Sequence, residues 1–164
     1  MRTLKENEIK LLLGRGCTCG DWIRVRIESE SSLEYIQNVH FSGDVSLGRF
    51  DGEFTLPGGL KKHSGVRNAT LHNVNVGNDT LIENVSNYIA NYDIGNNTYI
   101  ENVDLVFCDG VCAFGNGVEV SVLNETGGRE VKIFDRLSAQ VAYVLAMYRH
   151  RHGLSERLNA LIDQ

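Results

Sequence analysis

From Val76 onward the apolar residues return every six positions, and whole rows return every eighteen. The row VGNDTL-IENVSN-YIANYD (76–93) is followed by IGNNTY-IENVDL-VFCDGV (94–111). Val76/Ile94, Gly77/Gly95, Asn78/Asn96, Thr80/Thr98, Ile82/Ile100, Glu83/Glu101, Asn84/Asn102 and Val85/Val103 fall in register. A third row, FGNGVE-VSVLN, starts at Phe114 after a two-residue slip, and looser copies precede the regular ones at 36–48 (IQNVHFSGDVSLG) and 66–77 (VRNATLHNVNVG). An α-helical stripe recurs at three and four and a lone strand alternates at two, so a period of six fits neither. It fits a chain that turns a corner every six residues. Three flat sides then close one coil of eighteen, and successive coils stack as parallel strands about 4.8 Å apart. The predicted fold is mainly β: a parallel β-helix with loose coils over 36–75 and regular coils over 76–123.

In that arrangement Val76, Ile82, Ile94, Ile100 and Phe114 enter the core near the corners. Gly77, Gly95 and Gly115 follow them, where a missing Cβ lets the backbone turn sharply. Thr80, Ser86, Thr98 and Val118 are the small or β-branched residues suited to the limited space near the next corner. Asn84 should stack on Asn102, with Asn68 and Asn38 continuing the row. Such asparagines read more readily as a structural ladder than as a ligand site, because asparagine tolerates the left-handed region and bonds to neighbouring backbone. Solenoid ends need covering, and both termini suit that task. Thr3-x-x-Glu6 is a capping box opening a helix over 4–13. Asp135 can cap a longer helix through about His152, and Gly153 and Ser155 break and restart it, giving C-terminal helices over 135–163. Packing on the coils is the expectation for these helices, and partner binding is the alternative. Residues 50–65, with Leu56-Pro57-Gly58-Gly59 and Lys61-Lys62-His63, interrupt the coil and must project or fold over a side.

The rows VGNDTL, IENVSN, IGNNTY and FGNGVE resemble the hexapeptide-repeat superfamily of left-handed β-helices. The left hand is implied by this resemblance alone, since spacing does not give it and parallel crossovers are normally right-handed. IENVDL departs from the pattern at Asp104, and YIANYD and VFCDGV fit it poorly. The resemblance implies a homotrimer through flat sides, and the irregular, apolar third sides at 88–93 and 106–111 are the faces suited to it. More closely, the run from IENVSNYIANYDIG through FGNGVEVSVLNETGGREV to DRLSAQVAYVLAMYRHR looks like the N-terminal part of a bacterial family labelled as related to UDP-N-acetylglucosamine pyrophosphorylase. That likeness implies a single β-helix domain over 1–164, part of a longer protein whose remainder is a partner. It also implies a sugar-nucleotide transferase, acyl or nucleotidyl, with a nucleotide sugar as ligand and acetyl-CoA as a candidate donor.

The chain has 164 residues, 42% apolar and 23% charged, with a net charge of −5, which suits a soluble domain with a real core. The acidic balance argues against nucleic acid as a partner. No window approaches eighteen apolar residues, which argues against a membrane span, and the charged start MRTLKENEIKLLLGRG is not a signal peptide, so the expected compartment is the cytoplasm. There the four cysteines, Cys17-x-Cys19 and Cys108-x3-Cys112, should be reduced thiols; neither spacing is the C-x2-C of a zinc knuckle, so no metal is expected. Five Asn-x-Ser/Thr triplets, at Asn68, Asn78, Asn84, Asn96 and Asn124, are explained mostly by the repeat rather than by glycosylation.

An acyltransferase on such a scaffold would use a histidine as general base. Of His40, His63, His72, His150 and His152, only His72 lies in a coil just after the inserted loop, and it is the catalytic candidate. Glu83 and Glu101 should stack, and two like charges that close would raise one pKa. An anionic sugar nucleotide would be bound where the regular coil breaks, by Lys61, Lys62 and His63 on one side and Asn124, Gly127, Gly128 and Arg129 on the other. The bland alternative for 124–130 is a Gly-Gly turn in which Arg129 pairs with Glu125 or Glu130. Against the transferase stand two other functions: a structural or oligomerisation module, and a carbohydrate-binding module using Tyr88, Tyr92 and Tyr99 as apolar platforms.

Overall fold

The computed structural model describes residues 1–28, 33–110, 115, 117–121, 128, 130–148 and 150–162. The described chain is mainly β and divides into two compact units, Met1–Gly110 and Val111–Gln164. In the first, β1 (Arg2–Thr3), α1 (Glu6–Gly14) and β2 (Thr18–Cys19) lead into β3 (Val25–Ile27) and the long β4 (Ile36–Leu47). A hairpin of β5 (Glu53–Thr55) and β6 (Lys61–His63) is followed by the long β7 (Gly65–Val76), and then by β8 (Leu81–Glu83), β9 (Tyr88–Ile94), β10 (Tyr99–Glu101) and β11 (Leu105–Phe107).

These strands stack in parallel along three segments. On the first, Ile36 pairs with Val66, Val66 with Ile82 and Ile82 with Ile100. On the second, Cys19 pairs with Phe41, Phe41 with Leu71, Leu71 with Ile89 and Ile89 with Val106. On the third, Ile27 pairs with Leu47, Leu47 with Val76 and Val76 with Ile94. Side chains alternate across each short strand, so these apolar residues share one inner face. Ile36, Val66, Ile82, Phe41, Leu71, Ile89, Leu47 and Val76 are all at most 2% exposed. Each contributes about 1.5–3 kcal/mol by leaving water. Thr80 is buried with them and donates to Gly95 O at 2.8 Å.

The corners explain why asparagine recurs. Asn38, Asn68, Asn84 and Asn102 all have φ between 51° and 56°, the left-handed region that asparagine tolerates better than most residues. They form the expected ladder: each Nδ2 donates to the next Oδ1, at 3.1, 2.8 and 3.3 Å. A second corner carries Gly43, Asn73 and Asn91, also at positive φ. At the third, Asn78 Oδ1 accepts from Arg49 N and Asn96 Oδ1 accepts from Asn78 N. Four of the five glycosylation-like triplets therefore start with an asparagine committed to the stack, and the fifth, at Asn124, lies outside the described residues. Asn84→Ala should cost about 1–2 kcal/mol in urea denaturation, and Asn84→Gly less, because glycine accepts the backbone and loses only the ladder bonds.

The stack departs from the predicted boundaries at both ends. It starts earlier: β2 and β3 already pair in parallel with β4, with Gly16 (φ 78°) at the corner where later coils use asparagine. The stretch at 36–75, expected to be loose, contains the two longest strands. The step between Asn84 and Asn102 is 18 residues, but it is 16 between Asn68 and Asn84 and 30 between Asn38 and Asn68, where the hairpin is inserted. Regular coils were expected through position 123, yet among the described residues the parallel pairing ends at Phe107. In the second unit β12 (Glu119–Ser121) pairs antiparallel with β13 (Glu130–Lys132). Gly115 and Gly117, just before it, are both at positive φ. Phe114, expected in the core, lies outside the described residues.

The helices also shift. Thr3 belongs to β1, and Glu8 Oε2 accepts from Lys5 N at 2.7 Å to open α1. At the C-terminal end there is no helix from 135. Ser138 Oγ accepts from Val141 N at 3.3 Å and starts α2 (Ala139–Met147), which is followed by α3 (His152–Ile162). Among the described residues no helix is long and apolar enough to cross a membrane. Cys17 and Cys19 are free, and burial pushes the Cys17 thiol up. Cys108 is disulfide-bonded, so the expectation of four reduced thiols fails there.

Candidate functional site: a groove on the second segment

Two sets of polar and aromatic residues lie on the outside of the first unit, on different segments of the stack. One is a clasp between the β5–β6 hairpin and the first segment. Lys62 Nζ is 2.5 Å from both Glu83 Oε2 and Glu101 Oε1, and Arg67 Nε lies 3.2 Å from Glu83 Oε1. Arg67 also donates to His63 O at 2.8 Å, and the Tyr99 hydroxyl donates to Glu101. The Phe54 ring meets Tyr99 edge-on with centroids 5.3 Å apart, while His63 stacks on Tyr35 at 3.4 Å. The bonds to Glu101 and then Glu83 raise the Lys62 ammonium pKa, and the same lysine, followed by Tyr99, holds the Glu101 carboxyl below its usual range. The rise expected from stacking two carboxylates is not what Glu101 shows, because Lys62 sits between it and Glu83.

The second set forms a groove of about 440 Å³ on the second segment. Alternation dictates who faces it. Val39 and Phe41 point inward, so His40 and Ser42 point out; Ala69 and Leu71 likewise leave Thr70 and His72 outside. Ile89 is buried between Tyr88 and Ala90, and Ala90 pairs with His72 on one side and Phe107 on the other. A methyl group between an imidazole and a phenyl ring leaves a depression. Tyr88 flanks it, its ring 6.4 Å from that of Phe107, and Asn91 and Asp109 complete the rim. Thr18 Oγ1 lies 2.8 Å from His40 Nδ1, Ser42 Oγ lies 3.0 Å from His72 Nδ1, and Asn73 Nδ2 lies 3.1 Å from His72 Nε2.

The residues expected to gather around an anion are thus distributed. His72 lines the groove. Lys61 pairs with Glu53, while Lys62 and His63 fasten the hairpin to the first segment. Gly128 belongs to the second unit, where its N–H donates to Glu130 Oε1 at 2.5 Å. Asn124, Gly127 and Arg129 lie outside the described residues. The three tyrosines do not share a face: Tyr88 lines the groove, Tyr92 is exposed on the third segment, and Tyr99 is engaged beneath the hairpin. The sequence reading missed Ser42, Ala90 and Phe107 as groove residues. Their signal was their shared outward register, which unequal steps of 30, 18 and 17 residues hide. Among the described residues no cluster of three or more His, Cys, Asp or Glu is placed to hold a metal.

Comparison with known proteins gives a family match along the whole chain: residues 1–164 fit the model described as Domain of unknown function (DUF4954). The chain belongs to that family. It is similar to an "Uncharacterized protein" of Treponema pallidum (strain Nichols), 27% identical over 180 residues. That alignment covers 99% of this chain and 24% of the relative, so the chain spans about a quarter of that protein's length. No solved structure matches. These findings overturn the family likeness drawn from the six-residue rows. The match is to DUF4954, and neither the hexapeptide-repeat superfamily nor a UDP-N-acetylglucosamine pyrophosphorylase relative appears. The short motif of one apolar and one small position in six is a requirement of turning corners, and unrelated chains can meet it.

Proposed function

We propose that this chain is a carbohydrate-binding module, built as a three-sided left-handed parallel β-helix, with its site in the groove between His72 and Phe107. The single observation that carries the function is the pair of aromatic rings, Tyr88 and Phe107, set beside a small-residue gap whose other lining is hydroxyls, imidazoles, an amide and the Asp109 carboxylate. A sugar offers the matching surfaces: an apolar ring face for the aromatics and hydroxyls for the polar lining. The helical reading rests on the recurring 18-residue step and on left-handed asparagines at successive corners.

The transferase reading finds less support. Its lysines are tied into the clasp and to Glu53, and among the described residues no lysine or arginine lines the groove to hold a diphosphate. His72 has a partner on each ring nitrogen, which leaves no free lone pair aimed at an acceptor hydroxyl. Titrating the ¹⁵N-labelled chain with neutral mono- and oligosaccharides, and separately with UDP-sugars, tests the function. Neutral sugars should shift the amides of Ala90 and its neighbours. Tyr88→Ala should weaken binding by roughly tenfold to a hundredfold, the worth of one buried aromatic face. Shifts with UDP-sugars alone, or none with any sugar at millimolar concentration, would refute the function. A crystal structure with right-handed coils would refute the hand.

A further inference from the structure

The polarity of the second asparagine corner fixes the protons in the groove. At one end the backbone N–H of Asp44 donates to Asn73 Oδ1 at 3.0 Å, which identifies that atom as the oxygen. Asn73 Nδ2 donates to Asn91 Oδ1 at 3.2 Å, and Asn91 Nδ2 donates to Cys108 O at 3.3 Å. A backbone donor begins the row and a backbone carbonyl ends it, so neither amide can be flipped without setting like groups against each other. Asn73 Nδ2 therefore has a second hydrogen, and the atom it meets at 3.1 Å is His72 Nε2. A nitrogen that accepts carries no proton. The imidazole proton sits on Nδ1 and is donated to Ser42 Oγ at 3.0 Å. Ser42, already accepting, keeps its own O–H to donate outward.

Two further facts set the length of the ligand. Ser42 pairs with His72, His72 with Ala90 and Ala90 with Phe107, so three rungs separate the hydroxyl from the ring. At one strand spacing per rung that is about 14 Å, more than one hexose ring spans. Resting on the carbohydrate reading, we infer that the groove takes a glycan of at least two residues. One ring lies on Phe107 and Tyr88, and a later residue presents an acceptor, a ring oxygen or a carbonyl, to the Ser42 hydroxyl. Asn73 is a positioning residue: it touches no ligand and acts by holding the His72 tautomer that makes Ser42 a donor.

The test uses the 164-residue chain with three readouts. Long-range ¹H–¹⁵N spectra should show His72 with a protonated Nδ1 and a bare Nε2; the opposite pattern overturns the inference. In calorimetry a trisaccharide should bind more tightly than its own monosaccharide by more than tenfold. Ser42→Ala should narrow that gap by roughly threefold to tenfold, the worth of one neutral hydrogen bond. Equal affinity for mono- and trisaccharide, or a gap untouched by Ser42→Ala, overturns the inference while leaving the module reading intact, provided Tyr88→Ala still weakens binding. If Tyr88→Ala binds as wild type does, the module reading itself has failed.

Discussion

Gly77→Ala should lower the unfolding free energy by about 2–4 kcal/mol, while Gly95→Ala, the equivalent change one coil later, should cost less than about 1 kcal/mol. Both glycines occupy the same place in the repeat, and neither has a positive φ, so the backbone at each accepts an L side chain. The difference lies in what stands above them. A Cβ on Gly77 would fall 2.6 Å from Asn96 N and Gly95 C and 2.7 Å from Asn96 Oδ1, which are atoms of the next coil. Those atoms cannot retreat without loosening the bonds from Gly77 N to Ile94 O (2.8 Å) and from Asn78 N to Asn96 Oδ1 (2.7 Å). On Gly95 the nearest atom among the described residues is Thr98 Oγ1 at 3.9 Å, ordinary contact. Gly48, one coil before, meets Asn78 N at 2.8 Å and should behave like Gly77. Urea denaturation followed by circular dichroism measures all three. Equal losses at 77 and 95 would return the explanation to turn conformation, the reason that sequence alone suggests for these glycines.

That contrast shows what could be read from the chain and what could not. The eighteen-residue step and the asparagine ladder were legible because each is a single residue type meeting one local demand: an apolar side chain inward, or a backbone at positive φ. The first coils were less so. Gly16 replaces the corner asparagine, and the inserted hairpin stretches the step between Asn38 and Asn68 to 30 residues. The groove was hidden for a different reason: it arises from the small size of Ala90 between His72 and Phe107, and a missing bulk leaves no motif. Lys62 looked like a free cation because its two carboxylate partners are 21 and 39 residues away. The same rows that pointed to the parallel stacking also misled on kinship, since the spacing records the geometry of a turning chain and carries no ancestry.

Replacing Lys62 by methionine should reverse the response of the first segment to mild acid. In the wild type, Glu101 is held below its usual range by Lys62 and then Tyr99, and Glu8 is held at about 2, chiefly by its bond to Arg2. A carboxyl depressed in the folded state contributes stability that is complete above the unfolded value near 4.5, and this is lost as pH falls through the lower folded value. Between pH 7 and 5 these carboxyls should therefore leave the wild-type urea midpoint unchanged, and below about 4.5 their loss should weaken it. Methionine keeps the apolar stem of the lysine and removes its charge. Glu83 and Glu101, paired in register on adjacent strands, then face each other with Arg67 contacting Glu83 alone. Their side chains are about one-fifth exposed, so water screens the repulsion only in part. Protonating one of them now relieves repulsion, and its folded pKa rises above the unfolded value. By the same linkage the variant gains stability, relative to the wild type, as pH falls from 7 towards 5. Amide exchange corrected for its intrinsic pH dependence should place the gain in β5, β6, β8 and β10. Parallel midpoint profiles for the two proteins would mean that Lys62 does not separate the glutamates, and that the hairpin is held by its rings, Phe54 on Tyr99 and His63 on Tyr35.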